Sequence, residues 1–167
     1  MGRWFAAVLA VVLVLGVGAC GGGKRKMNPK VLIETTQGSF TAEIYSDVKA
    51  TSENFLNLVN TNFYNNLTFH RYVPGFVIQG GDPQGTGMGG SDKTIPLEIT
   101  EHKHVKGALG MARSQDPNSA SSQFYVCLEN LPNLDGSYAV FGQVTDGMDN
   151  VLKLRQGDKI LKASVLP

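Results

Sequence analysis

Apolar positions recur mostly with period two, in short runs broken by Gly, Pro, Asn or Asp, a spacing that predicts strands rather than helices. Val31–Ile33 and Phe40–Tyr45 flank Thr36-Gln37-Gly38 and read as a hairpin. Further strand-length segments fall at Phe69–Tyr72, Phe76–Gln79, Ile95–Ile99, Ala108–Ala112, Phe124–Leu128, Val140–Val144 and Ile160–Leu166. The period changes twice. Phe55, Leu58 and Val59 repeat at helical spacing between Thr51 and Asn60, with Thr51 or Ser52 as the expected cap. Val151, Leu152 and Leu154 mark a second short helix over Asp149–Arg155. About eight short strands and two helices argue for an all-β, closed barrel, because closure removes exposed strand edges and the helices can plug its ends.

The N-terminal pattern is different. Met1-Gly2-Arg3 precedes an unbroken run of apolar residues and glycine from Trp4 to Ala19, shorter than the ~20 residues a spanning helix needs. A basic start, apolar middle and small-residue end have the layout of a secretory signal. Val17-Gly18-Ala19-Cys20 resembles a bacterial lipobox, which implies a signal peptide over 1–19 and lipidation of Cys20. Residues 20–29 would then tether the folded domain, 30–167, to a membrane of the cell envelope, with Gly21–Gly23 and the basic patch Lys24-Arg25-Lys26 suited to hold that domain off it. The alternatives are a plain cleaved signal with an incidental cysteine, or translation from Met27, which leaves a cytoplasmic domain.

Composition narrows the class. The 15 Lys+Arg balance 14 Asp+Glu in 167 residues, which argues against a nucleic-acid footprint. Glycine accounts for 20 residues, well above the usual ~7% and in keeping with many tight turns. Two cysteines cannot build a disulfide scaffold, and Cys127 in Phe124–Leu128 reads as a small buried hydrophobe. Gly85-Thr86-Gly87-Met88-Gly89-Gly90 satisfies G-x-G-x-x-G, but Pro96 follows where a phosphate-binding helix would have to run, so a surface turn is expected. His102 and His104 lie in a polar turn that reads as solvated, and no metal or cofactor is expected.

One constellation carries chemistry. If Phe69–Tyr72 and Phe76–Gln79 pair across Pro74-Gly75, alternation brings Arg71, Phe76 and Gln79 toward one face, a cation, a ring and an amide together. Met111-Ala112-Arg113 and Ser122-Gln123-Phe124-Tyr125 add apolar groups and a second amide.

Phe69–Asp82, Met111-Ala112, Ser122-Gln123-Phe124, Leu134-Asp135-Gly136 and Val140-Phe141-Gly142 resemble the cyclophilin family of peptidyl-prolyl cis–trans isomerases from about Val31 to the last strand. The resemblance implies an eight-stranded antiparallel barrel capped by two helices. It also implies a monomer that accelerates Xaa-Pro rotation in proline-containing polypeptides, here during folding of exported proteins. Arg71, Phe76 and Gln79 take the catalytic positions. Val77, Ala112, Arg113, Gln123, Phe124 or Tyr125, Leu134 and Tyr138 take the substrate-binding ones, with Tyr125 at the aromatic proline-pocket position. An alternative within the resemblance is a peptide-binding or chaperone module with incidental turnover.

The sequence departs from familiar members at Val77, Arg113 and Tyr138, where methionine, asparagine and histidine are frequent. Asn133 stands where an aromatic that helps bind cyclosporin is often found, which implies weak sensitivity to that compound.

Overall fold

Gly38 adopts φ of +105°, a conformation open to glycine, and turns the chain so that Val31 faces Ala42 and Ile33 faces Phe40 across the first hairpin. All four side chains are buried, so the alternation read from the sequence is the alternation of this ladder. The computed structural model describes Met1 and residues 27–167. The expected signal peptide after Met1, the expected lipidation site Cys20 and most of the expected tether therefore lie outside the described residues.

The elements are β1 (Lys30–Thr35), β2 (Gly38–Ile44), α1 (Lys49–Asn60), β3 (Arg71–Val73), β4 (Val77–Gly80), β5 (Ala108–Met111), β6 (Phe124–Cys127), β7 (Val140–Asp146), α2 (Met148–Lys153) and β8 (Ile160–Val165). A 3-10 turn over Pro132–Leu134 was not expected. The strands form one antiparallel sheet in the order β3-β4-β6-β5-β7-β2-β1-β8. The described chain is already tied to the domain just before β1. The Asn28 side chain donates to Glu43 at 2.8 Å and accepts from the Ser46 amide at 3.0 Å, so the end of the expected tether is fastened to the domain.

Three expectations need correction. The sheet is curled but open, because β3 pairs only with β4 and β8 only with β1. Residues 66–69 approach 157–160 through a single Thr68–Lys159 bridge and bonds such as Phe69 N to Asp158 O at 2.8 Å. Asn66, at φ of +65°, bends the chain out of extended conformation just ahead, and β3 is too short to continue a ladder.

Ile95–Ile99 is not a strand. Pro96 has no N–H to donate, and only Ile95 bridges, to Ala120. Glu98 is drawn to the start of α1, where it accepts from the amides of Ala50 (3.1 Å) and Thr51 (2.7 Å) and from the Thr51 hydroxyl (2.8 Å). That carboxylate satisfies orphan amides at the positive end of the helix, so neither Thr51 nor Ser52 is its N-cap.

The sheet is covered on both faces, which explains why all four residues of β6 are buried. Phe124 and Val126 point into the inner core with Ile78, Leu109, Phe141, Phe55 of α1 and Val151 of α2. Tyr125 and Cys127 point to the outer face with Val77, Ala108, Leu131 and Val140. Burial pushes the Cys127 thiol up to about 12, with Asp135 adding to the shift, so it is a small apolar filler rather than a nucleophile.

Candidate active site

The outer-face cluster carries the site. Register places Arg71 opposite Gln79, Gln79 opposite Tyr125, and Tyr125 opposite Gly110, one row across β3, β4, β6 and β5. Directly opposed residues project to the same side of a sheet. The β3–β4 turn closes through Phe76 N to Val73 O at 3.0 Å, with Gly75 at φ of +67°. It leaves the Phe76 ring 5.7 Å from the Arg71 guanidinium carbon.

Arg71 is exposed, and among the described residues it makes no ion pair. Its Nη1 donates to Gln79 Oε1 at 3.3 Å, and Gln79 Nε2 donates to Gln123 Oε1 at 2.9 Å. Gln123 Nε2 in turn donates to the carbonyls of Gly87 (3.0 Å) and Gly89 (2.7 Å). The chain of amides ends on the glycine-rich loop, which has its own anchor. Asp82, 1% exposed, accepts from the amides of Gln84, Thr86, Gly87 and Gly89 at 2.6–3.2 Å. Burial alone would raise the Asp82 pKa; the four amides outweigh it and hold the carboxyl below its usual range. The G-x-G-x-x-G amides thus close on a carboxylate of this chain rather than on a phosphate.

Beside Arg71 lies a cavity of about 380 Å³, with Phe76, Val77, Tyr125 and Leu134 as its apolar walls. Ala112, Arg113 and Tyr138 complete it, and Gln79 lies at its edge. A second hollow of about 500 Å³ adjoins it across Gln79, Ala112 and Arg113 and is lined by Gln123 and the glycine loop. Arg113 separates the two as a strut. Its guanidinium donates to Ser137 O (2.9 Å) and Ser114 O (2.8 Å) and lies 5.0 Å from the Tyr138 ring centre, so its donors face its own loops.

Of the expected site residues, only Phe124 is turned away. It packs edge-on against Phe55 and Tyr64, with ring centres 5.4 and 5.5 Å away, in the inner core. The alternation of β6 allows only one of Phe124 and Tyr125 to reach the cavity, and it is Tyr125.

Two groups escaped sequence reasoning. The His70 ring lies under the glycine loop, where burial lowers its pKa against the opposing pull of Asp82, so it is neutral at pH 7 and adds no second cation beside Arg71. His104, expected in a solvated turn, is 2% exposed behind Tyr125. The one signal for it was Tyr125 itself, since a buried phenol needs a partner. His102 stays near the surface, stacked on Tyr45 at 3.9 Å. Among the described residues no three His, Cys, Asp or Glu side chains converge as a metal site.

Comparison with known proteins matches residues 30–165 to the family model for cyclophilin-type peptidyl-prolyl cis-trans isomerases. A peptidyl-prolyl cis-trans isomerase of Synechococcus elongatus is 41% identical over 82% of this chain and 96% of its own length. One from Helicobacter pylori is 41% identical over 77% of this chain and 82% of its own. The crystal structure of a Cryptosporidium parvum cyclophilin superposes with a TM-score of 0.78 at 31% identity, covering 84% of this chain and 98% of that one. The same protein has also been solved in the presence of the dipeptide Ala-Pro.

Proposed function

The chain belongs to the cyclophilin-type peptidyl-prolyl cis–trans isomerases, and from that premise we propose how its site rotates an Xaa-Pro bond and where in the cell it works. The activity is isomerisation of prolyl peptide bonds. Amide resonance sets a barrier of ~18–20 kcal/mol, and the uncatalysed exchange takes tens to hundreds of seconds. No covalent step is needed. The site must bind the twisted amide more tightly than either planar isomer.

Arg71 supplies that preference. As the amide twists, the prolyl nitrogen leaves conjugation and becomes a hydrogen-bond acceptor, and a guanidinium is protonated at every working pH. Gln79 takes one nitrogen of the fork, and Arg71 lines the cavity with its other N–H groups left without a side-chain partner among the described residues. Phe76, Val77, Tyr125 and Leu134 seat the pyrrolidine ring so that the acyl side turns against a fixed partner. The backbone at Ala112–Arg113 docks the extended chain beside it. The observation that carries this reading is the juxtaposition of an exposed cation, without an ion pair among the described residues, and an apolar cavity whose wall residue Tyr125 shares its register row.

The cellular reading rests on the N-terminal sequence. Removal of residues 1–19 leaves 14 basic and 14 acidic residues, and a lipid on Cys20 would hold a neutral, monomeric isomerase at the extracytoplasmic membrane face, acting on exported polypeptides. Cis–trans exchange of a short Xaa-Pro peptide tests the chemistry. Mass spectrometry of the mature N-terminus tests the address: a lipid-modified Cys20 is expected, and a chain beginning at Met27 or at an unmodified residue overturns the anchor.

A further inference from the structure

Tyr125 brings a hydroxyl to the floor of an apolar cavity, and a phenol buried there requires a partner. Its oxygen lies 2.9 Å from His104 Nε2, and His104 Nδ1 lies 2.9 Å from Asp135 Oδ1. A carboxylate only accepts, so Nδ1 carries the imidazole proton, and Nε2 is left to accept from the Tyr125 hydroxyl. Burial pushes the Tyr125 phenol up, which keeps that hydroxyl a donor across the working pH range.

The rest of the turn reinforces this tautomer and ring position. Asp135 Oδ1 also accepts from the His104 amide at 2.9 Å, and the Leu131 amide donates to His104 O at 2.7 Å. Lys103 reaches the other Asp135 oxygen from the surface, at 3.9 Å. Asp135 directly follows Leu134, another wall of the same cavity. A continuous chain, Leu134–Asp135–His104–Tyr125, therefore fastens one cavity wall to the other through a buried imidazole.

We infer that His104 is a positioning residue for the prolyl ring: bridging Asp135 and the Tyr125 hydroxyl, it fixes the depth and shape of the pocket without touching substrate. The inference rests on the isomerase reading and deepens it. Its effect falls on ground-state and transition-state binding alike, so it should move KM and leave kcat nearly unchanged.

Two amide isosteres separate its two bonds. The Asn side chain reaches the position of Nδ1, and the Gln side chain that of Nε2. With a short Xaa-Pro peptide as substrate, His104→Asn should raise KM about fivefold, the size of one hydrogen bond, with kcat held. His104→Gln keeps the contact to Tyr125 and should fall closer to wild type at a comparable melting temperature. An unchanged KM in His104→Asn, or equal KM increases in both variants that follow their loss of thermal stability, would overturn the positioning role. Should His104→Asn not fold, Tyr125→Phe removes the same bond from the other side and should raise KM similarly; an unchanged KM there is equally fatal. Wild-type protein with no isomerase activity would instead sink the functional reading itself.

Discussion

Arg71 stands directly opposite Gln79 in the β3–β4 ladder, and its Nη1 donates to Gln79 Oε1 at 3.3 Å. That bond is the guanidinium's one side-chain hydrogen bond among the described residues. It aims a cation at the cavity without neutralising it, as a carboxylate in the same place would.

Arg71→Ala should therefore remove most of the rate. Loss of a well-placed donor to developing charge or lone-pair density typically costs about 100- to 1,000-fold in kcat. Arg71 is exposed and belongs to neither core cluster, so the melting temperature should stay near wild type. Near-full activity in a peptide exchange assay would remove Arg71 from the mechanism.

Gln79→Glu tests orientation against charge. The side chain is isosteric, but a carboxylate at Oε1 would pair with Arg71 and lose the donor now facing Gln123. We expect kcat/KM to fall at least about tenfold, with helix and strand content unchanged by circular dichroism. Wild-type kinetics would mean that the charge state around Arg71 is immaterial.

The glycine loop makes the pH prediction. Asp82, Asp135 and Asp158 all have native pKa values held below the ordinary carboxylate range. For Asp82 and Asp158 burial opposes the shift and accepted hydrogen bonds outweigh it; for Asp135 the His104 amide and ring dominate. A depressed native pKa adds stability that is present above the unfolded value of about 4 and is lost as pH falls through the lower native value. Stability should thus begin to fall gently below about pH 6.5, where the unfolded chain protonates His70 before the native state does, and decline steeply below pH 4. Asp82→Asn replaces an acceptor with a donor facing buried amides. It should cost about 3 kcal/mol at pH 7 and flatten the acid limb, as chemical denaturation across pH would register.

How much of this was legible depended on whether the determining contacts were local. The first hairpin and the Arg71–Phe76–Gln79 group were readable because alternation and one turn decide them. Ile95–Ile99 was not, because Glu98 is drawn away by amides in α1, and no local pattern records a partner so distant along the chain. Barrel closure was overestimated for a similar reason: whether β3 and β8 meet depends on the bend at Asn66. His104 was missed because its surroundings in sequence are polar, whereas its partners Tyr125 and Asp135 are brought in by β6 and the turn after it.

Gly110 offers the sharpest steric test. Its backbone is not in the left-handed region, so an alanine meets no conformational objection there. The difficulty is space: a Cβ would fall 2.2 Å from Tyr125 Cζ, because the tyrosine ring lies flat over the glycine across the β5–β6 ladder. Gly110→Ala must push the ring outward into the cavity or off His104, and overpacking of this kind costs about 1–3 kcal/mol. We expect a lower melting temperature together with a raised KM for an Xaa-Pro peptide. Adding Tyr125→Leu removes the colliding ring atoms and should restore much of the stability but not the affinity, because the aromatic wall goes with them. Recovery of both would mean that the pocket needs only apolar volume at residue 125. Recovery of stability alone would show that the ring in its present place, and not merely a filled core, is what the prolyl group binds.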